Sequence, residues 1–258
     1  MPDATSLSPA FMVVHGNRLD ELRSLVISLM RRYPLAPLEN EIALVQSNGI
    51  AQWLKLALAE DPEDDDTGGC GIAAAIDVQL HGSFMWQLYR TVLGRDEIPA
   101  KSLLDKSPLT WRLMRLLPQL IEQPHFEPLR RFLTHDIDLR KRYQLSERLA
   151  DLFDQYQVYR ADWLEDWADG RHQTRNVRGE IKPLAPENCW QAELWRALLV
   201  DVGEAGMAQS RAGVHQRYIE RINSLETVPR GLPARVIVFG ISSLPAQALE
   251  ALAGLSRF

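Results

Sequence analysis

The sequence predicts an α/β protein in which a parallel sheet covered by helices is interrupted by an all-helical insertion. Three observations carry this. Short apolar, β-prone runs alternate with amphipathic stretches in the first hundred or so residues, the pattern of consecutive β-α units. Residues 107–170 keep a helical period throughout, with no strand-like run between. Near the other end, "RVIVFG" is almost continuously apolar, as expected of a strand covered on both faces. With 258 residues, 46% hydrophobic and 24% charged, the chain suits one large domain or a domain carrying an inserted second one.

In chain order, "FMVVHG" (residues 11–16) reads as a short buried strand. "NRLDELRSLVISLMRRY" follows as a helix, with Asn17 as N-cap and Leu19, Leu22, Leu25, Val26 and Leu29 at helical spacing. "EIALVQ" is the second strand, and "IAQWLKLALAE" the second helix, with Trp53, Leu54, Leu56 and Leu58 toward its buried side. "EDPEDDDTGGCG" (residues 60–71) is a charged surface loop without the alternating carboxylates and closing Glu of an EF-hand. "IAAAIDVQL" reads as a strand, and "SFMWQLYRTVLG" as a helix capped by Ser83. The helical insertion has Pro108 in a first turn and Gly170 as a terminal stop. Residues 171–188 read as a flexible polar loop, followed by the helices "CWQAELWRALLVDVG" and "RAGVHQRYIERINSLE".

The net charge of -5 argues against a generally basic nucleic-acid coat and leaves room for a local groove. Cys70 and Cys189 form neither a disulfide framework nor a zinc spacing, which fits a reducing cytoplasm. No secretion signal and no membrane-length apolar run is present, so a cytoplasmic, membrane-free protein is expected.

The stretch "VQSNGIAQWLK" has the strand-turn-helix order of a phosphate-binding loop. It offers Gly49 alone, without the second glycine or the Lys-Ser/Thr pair that grip phosphate and Mg²⁺. Its amides Gln46, Asn48 and Gln52 can either read base edges or simply border a helix-capping turn. Asp151 and Asp154 lie three apart and share a helix face. They can bind Mg²⁺, accept from a cytosine amino group, or form an exposed acidic stripe. Arg140, Lys141, Arg142, Arg148 and Arg160 are nearby candidates for phosphate contact. Trp53, Trp86, Tyr156, Trp163 and Trp167 can stack on unpaired bases or pack in a core. The six histidines show no metal-binding spacing, and no Ser sits in a nucleophile elbow.

Taken together, "LVQSNGIAQWLKLALA", "SFMWQLYRTVLG", "LTWRLMRLLPQLIE", "RLADLFDQYQVYRADWLEDW" and "RVIVFGISSLP" resemble the RecC family, the gamma subunits of bacterial exodeoxyribonuclease V (RecBCD). The likeness runs from about Val13 onward, with residues 61–69 looking like an insertion. It implies an inactive P-loop helicase-like parallel-sheet domain of the superfamily 1 type, in an N-terminal fragment of a longer subunit. Residues 1–106 would form the first part of that domain and residues 107–228 the mainly helical insertion with its connecting helices. Residues 229–258 would return to the sheet. The resemblance further implies recognition of the Chi sequence in the 3′-ended single strand by Gln46, Asn48, Gln52, Leu80, Trp86, Asp151, Leu152, Asp154, Gln155, Arg160 and Arg211. Asn48 stands where a well-known member of the family has threonine, so the sequence read need not be the usual one. No cofactor is expected in this chain, ATP and Mg²⁺ being used by the partner subunits RecB and RecD. DNA is the remaining partner.

Overall fold

A computed structural model describes residues 10–62, 68–176 and 178–258. In chain order the elements are α1 (Leu19–Arg32), β1 (Glu41–Val45), α2 (Asn48–Ala59), β2 (Ile76–Leu80), α3 (His81–Leu93), α4 (Lys106–Leu120), α5 (Glu127–Phe132), α6 (Arg140–Tyr159), α7 (Ala161–Ala168), β3 (Gln173–Arg175), β4 (Ile181–Pro183), α8 (Cys189–Ala208), α9 (Arg211–Ser224), β5 (Val236–Val238) and α10 (Ala246–Leu255). They divide into two compact units. One holds the described residues up to Gly94 together with Tyr218–Phe258, and the other is Arg95–Arg217.

The first unit is α/β. Its sheet has the order β2-β1-β5, with both pairings parallel. The central strand β1 is buried at Glu41, Ala43, Leu44 and Val45, as a strand covered on both faces must be. Ala43 and Val45 pack with Ile27 of α1, Leu54, Ala57 and Leu58 of α2, and Phe239 after β5. Burying each large aliphatic of this kind contributes about 1.5–3 kcal/mol. The buried Glu41 carboxylate is satisfied by Arg235, whose Nε lies 2.9 Å away and whose Nη2 also donates to the Tyr33 carbonyl at 3.0 Å.

The second unit is mainly helical. Leu109, Leu113 and Leu117 recur every fourth residue on α4 and bury against Leu149, Ala150 and Phe153 of α6. Trp167, Trp195 and Leu198 extend the same core. Gly170, in the left-handed region at φ 81°, follows α7 where the sequence placed a stop. Among the described residues no helix is long and apolar enough to cross a membrane.

Several local expectations are corrected. Residues 11–16 form no strand, and Phe11, Met12, Val13 and Val14 are 49–69% exposed. Their apolar run has the content of a buried strand, yet among the described residues no strand pairs with it. Arg18, not Asn17, holds the N-cap position of α1, and α3 begins at His81, so Ser83 lies within its first turn. Leu56 is exposed, because the inward face of α2 falls on Leu54, Ala57 and Leu58. β5 is three residues long, lies at the edge of the described sheet and is only partly covered. Residues 171–188 contain the antiparallel hairpin β3-β4. Residues 63–67 of the acidic loop lie outside the described residues.

Candidate nucleic-acid interface

β1 ends at Val45 and α2 begins at Asn48, so only Gln46 and Ser47 connect them. A phosphate-binding loop spans eight residues and wraps its backbone N–H groups around the anion. Here Ser47 instead caps the helix, its Oγ accepting from the Ile50 N–H at 3.4 Å and its carbonyl from the Ala51 N–H at 3.0 Å. A Cβ added at Gly49 would meet nothing nearer than Ser47 Oγ at 3.8 Å, so no contact within the protein requires glycine there.

The amides of Gln46, Asn48 and Gln52 are exposed, and none bonds another described residue. Val45 stands in register with Leu80, so both chains leave the sheet side by side at its carboxyl end. That end is where open α/β sheets hold their ligands. Leu80 is 40% exposed there. The next residue, His81, has its imidazole pKa lowered by partial burial. Trp86 on α3 is partly buried, edge-on to Tyr89 with ring centroids 6.4 Å apart.

In the second unit the shared helix face of Asp151 and Asp154 is matched by cations from distant segments. Lys106 Nζ donates to Asp151 Oδ1 at 2.8 Å, and Gln155 Nε2 donates to Asp151 Oδ2 at 3.2 Å. Arg211 Nη2 donates to both Asp154 Oδ1 at 3.0 Å and Asp105 Oδ1 at 3.1 Å. The Lys106 hydrogen bond draws the Asp151 carboxyl below its ordinary value. Burial pushes Asp154 up, against the opposing pull of Arg211. Leu152 lies between them, partly buried. Among the described residues no three His, Cys, Asp or Glu side chains converge to hold a metal ion. The acidic face is thus part of an ion-pair network.

Arg160, between α6 and α7, is more heavily committed. Its Nε and Nη2 donate to the two carboxylate oxygens of Asp162 at 3.1 and 2.9 Å, and Nη2 also donates to the Arg175 carbonyl. Its guanidinium lies 3.9 Å from the Trp163 ring centroid. The Trp163 and Trp167 indoles donate to the Arg175 and Gln173 carbonyls at 2.9 and 2.8 Å, and the buried Asp166 binds Arg171, Gln173 and Arg175. These contacts pin β3 to α7. Trp163, Trp167 and Tyr156 are therefore packing residues: Tyr156 meets both indoles and Phe153 edge-on, and the two indoles are tilted against each other. Trp53 likewise packs on Phe239.

Spacing along the chain missed Asp105 and Lys106, whose roles arise only from contacts with α6 and α9. It also missed Trp111, which is 63% exposed and 6.1 Å from the Tyr143 ring. The signal was in the leucine period: Trp111 stands two residues from Leu109 and Leu113, on the opposite side of α4 from its buried stripe.

Residues 11–258 match the family model described as RecC, N-terminal domain. The chain is 44% identical over 247 residues to the RecBCD enzyme subunit RecC of Escherichia coli (strain K12), covering 95% of this chain and 20% of that protein. It is 36% identical over 263 residues to the subunit of the same name from Haemophilus influenzae, with 95% and 22% coverage. It is 29% identical over 232 residues to that of Mycobacterium tuberculosis (strain H37Rv), with 84% and 19% coverage. The chain thus spans about one fifth of the length of these relatives.

Proposed function

This chain belongs to the RecC family, and we propose that it supplies a DNA-reading surface to a RecBCD-type complex without catalysing a reaction itself. In this reading residues 1–106 and 229–258 belong to a helicase-like domain that has lost nucleotide chemistry, and residues 107–228 are its mainly helical insertion. The partners RecB and RecD use ATP and Mg²⁺, unwind the duplex and cut it in the cytoplasm. Recognition of Chi in the 3′-ended strand switches the complex from degrading that strand to preparing it for recombinational repair.

The observation that carries this reading is the β1-α2 connection. It is two residues long and capped by its own serine, and it and the start of α2 present amides that bond no other described residue, where a nucleotide site would need a lysine and a cradle of N–H groups. Gln and Asn amides pair bidentately with adenine, and Leu80 and Trp86 offer apolar contact to unpaired bases. In the second unit Asp151 and Asp154 can accept from cytosine, and Arg211 can donate to guanine.

The test is a reconstituted complex carrying Gln46→Ala or Asp154→Ala. Unwinding should stay normal while the Chi response falls about fivefold or more, since one good base contact contributes about 1–3 kcal/mol of discrimination. Retained Chi response in both variants would instead make the chain a scaffold. ATP turnover by the chain, lost on Lys55→Ala, would make it an active helicase domain.

A further inference from the structure

At the amino ends of β1 and β2, the opposite end of those strands from Gln46 and Leu80, lies a shallow apolar groove of about 290 Å³. Met30, Leu35, Leu38, Leu58, Ile72 and Ile76 are among its lining residues, with alanines and prolines between them. One wall is fixed to the end of α2. The Cys70 N–H donates to the Leu58 carbonyl at 2.8 Å, and the Gly71 N–H to the Glu60 carbonyl at 2.9 Å. A Cβ at Gly69 would fall 2.3 Å from the Glu60 carbonyl oxygen, so only glycine allows this approach.

The opposite wall is a turn that places its apolar residue outward. The Glu39 N–H donates to the Ala36 carbonyl at 3.0 Å, and the Glu39 carboxylate accepts from the Ala36 N–H at 3.2 Å. Within this turn Leu38 adopts φ 73° and is 98% exposed. A leucine in the left-handed region is strained, and its side chain recovers nothing by burial in this chain. Ala75, also lining the groove, has φ 53°, and Ile72 is 67% exposed.

Charge narrows the occupant. Among the described residues no Lys or Arg lines the groove, and the cations beside its lining are Arg235, paired with Glu41, and Arg31, near Cys70. Glu39 lines it and Glu60 and Asp61 stand exposed beside the fixed wall, whereas Glu41 is already neutralised by Arg235. We propose that this groove docks an apolar segment of a partner polypeptide flanked by lysine or arginine, with Leu38 as its anchor. The inference rests on the assembly part of the reading above and concerns a different end of the sheet.

The test uses a complete RecC subunit containing this chain, with purified RecB and RecD as probes. A photoreactive benzoyl-phenylalanine in place of Leu38 should cross-link to RecB or RecD at an apolar segment bearing Lys or Arg. The same group in place of the 83%-exposed Val200 serves as the control and should give no such product. Leu38→Gly keeps the turn, because glycine adopts its φ freely. It should leave the melting temperature unlowered while weakening binding of the cross-linked subunit at least tenfold. The proposal is overturned by absence of a cross-link at position 38, by a cross-link to the same subunit, a second copy or DNA, or by unchanged affinity in Leu38→Gly. Unchanged affinity alongside a lost Chi response in Gln46→Ala would overturn the docking groove and leave the DNA-reading surface standing.

Discussion

At the carboxyl end of the parallel sheet, Gln46, Asn48 and Gln52 present amides that bond no other described residue. In the helical unit, Asp151, Asp154, Arg160 and Arg211 are each already bonded to a group of the protein. The first set needs only to shed water to meet a base edge. The second must exchange an internal partner for an external one, and that exchange subtracts from whatever the new contact contributes. The amides can therefore add affinity directly. The charged groups pair within the helical unit, and a ligand would gain from them only where it replaces the partner it displaces.

The largest effect that would sharpen this contrast belongs to Asp166. Its side chain is 1% exposed and accepts from Arg171, Gln173 and Arg175. Asp166→Asn should destabilise the helical unit by about 3 kcal/mol, the low end for breaking a buried pair because both arginines stay half open to solvent. Denaturant unfolding measures it. The Arg175 hydrogen bonds hold this carboxyl well below its ordinary value of 3.8. Its folded pKa is depressed, so the stabilisation is complete above the unfolded value and is lost as pH falls below it. Loss of stability below about pH 4 should accordingly be shallower in Asp166→Asn than in the parent. An unchanged acid limb would remove Asp166 as the clamp of the hairpin.

A smaller effect tests the pairing of candidate residues directly. A double-mutant cycle on Asp154→Ala and Arg211→Ala should give a coupling of about 1 kcal/mol, modest because both side chains remain about one quarter to one third exposed. A coupling near zero would mean that the pair is already open, and the contrast with the amides would collapse.

Periodicity found what local sequence can encode. The strands β1, β2 and β5, the helical run through residues 107–170 and the common face of Asp151 and Asp154 were all legible. It failed where long-range contacts decide. Residues 11–16 read as a buried strand because their apolar content matches one, yet burial depends on a neighbour that the string of residues does not show. The β3-β4 hairpin looked like loop because it is held by Asp166, Trp163 and Trp167 side chains and not by apolar alternation. Lys106 and Arg211 meet Asp151 and Asp154 across 45 and 57 residues, a distance over which spacing carries no information.

The smallest expected effect is on the stability of the chain carrying Gln46→Ala. An exposed amide with no described partner can be removed at a cost within about 0.5 kcal/mol, as for surface positions generally. Ser47→Ala, one residue on, removes the cap accepting from the Ile50 N–H and should cost about 1 kcal/mol. The two neighbours thus separate roles that a single substitution in this connection would confuse. If Gln46→Ala destabilised the chain as much as Ser47→Ala, Gln46 would be part of the turn. Loss of Chi response on changing it could then be read as local unfolding. With Gln46→Ala neutral in thermal unfolding, the same loss can only reflect a contact made outside the chain.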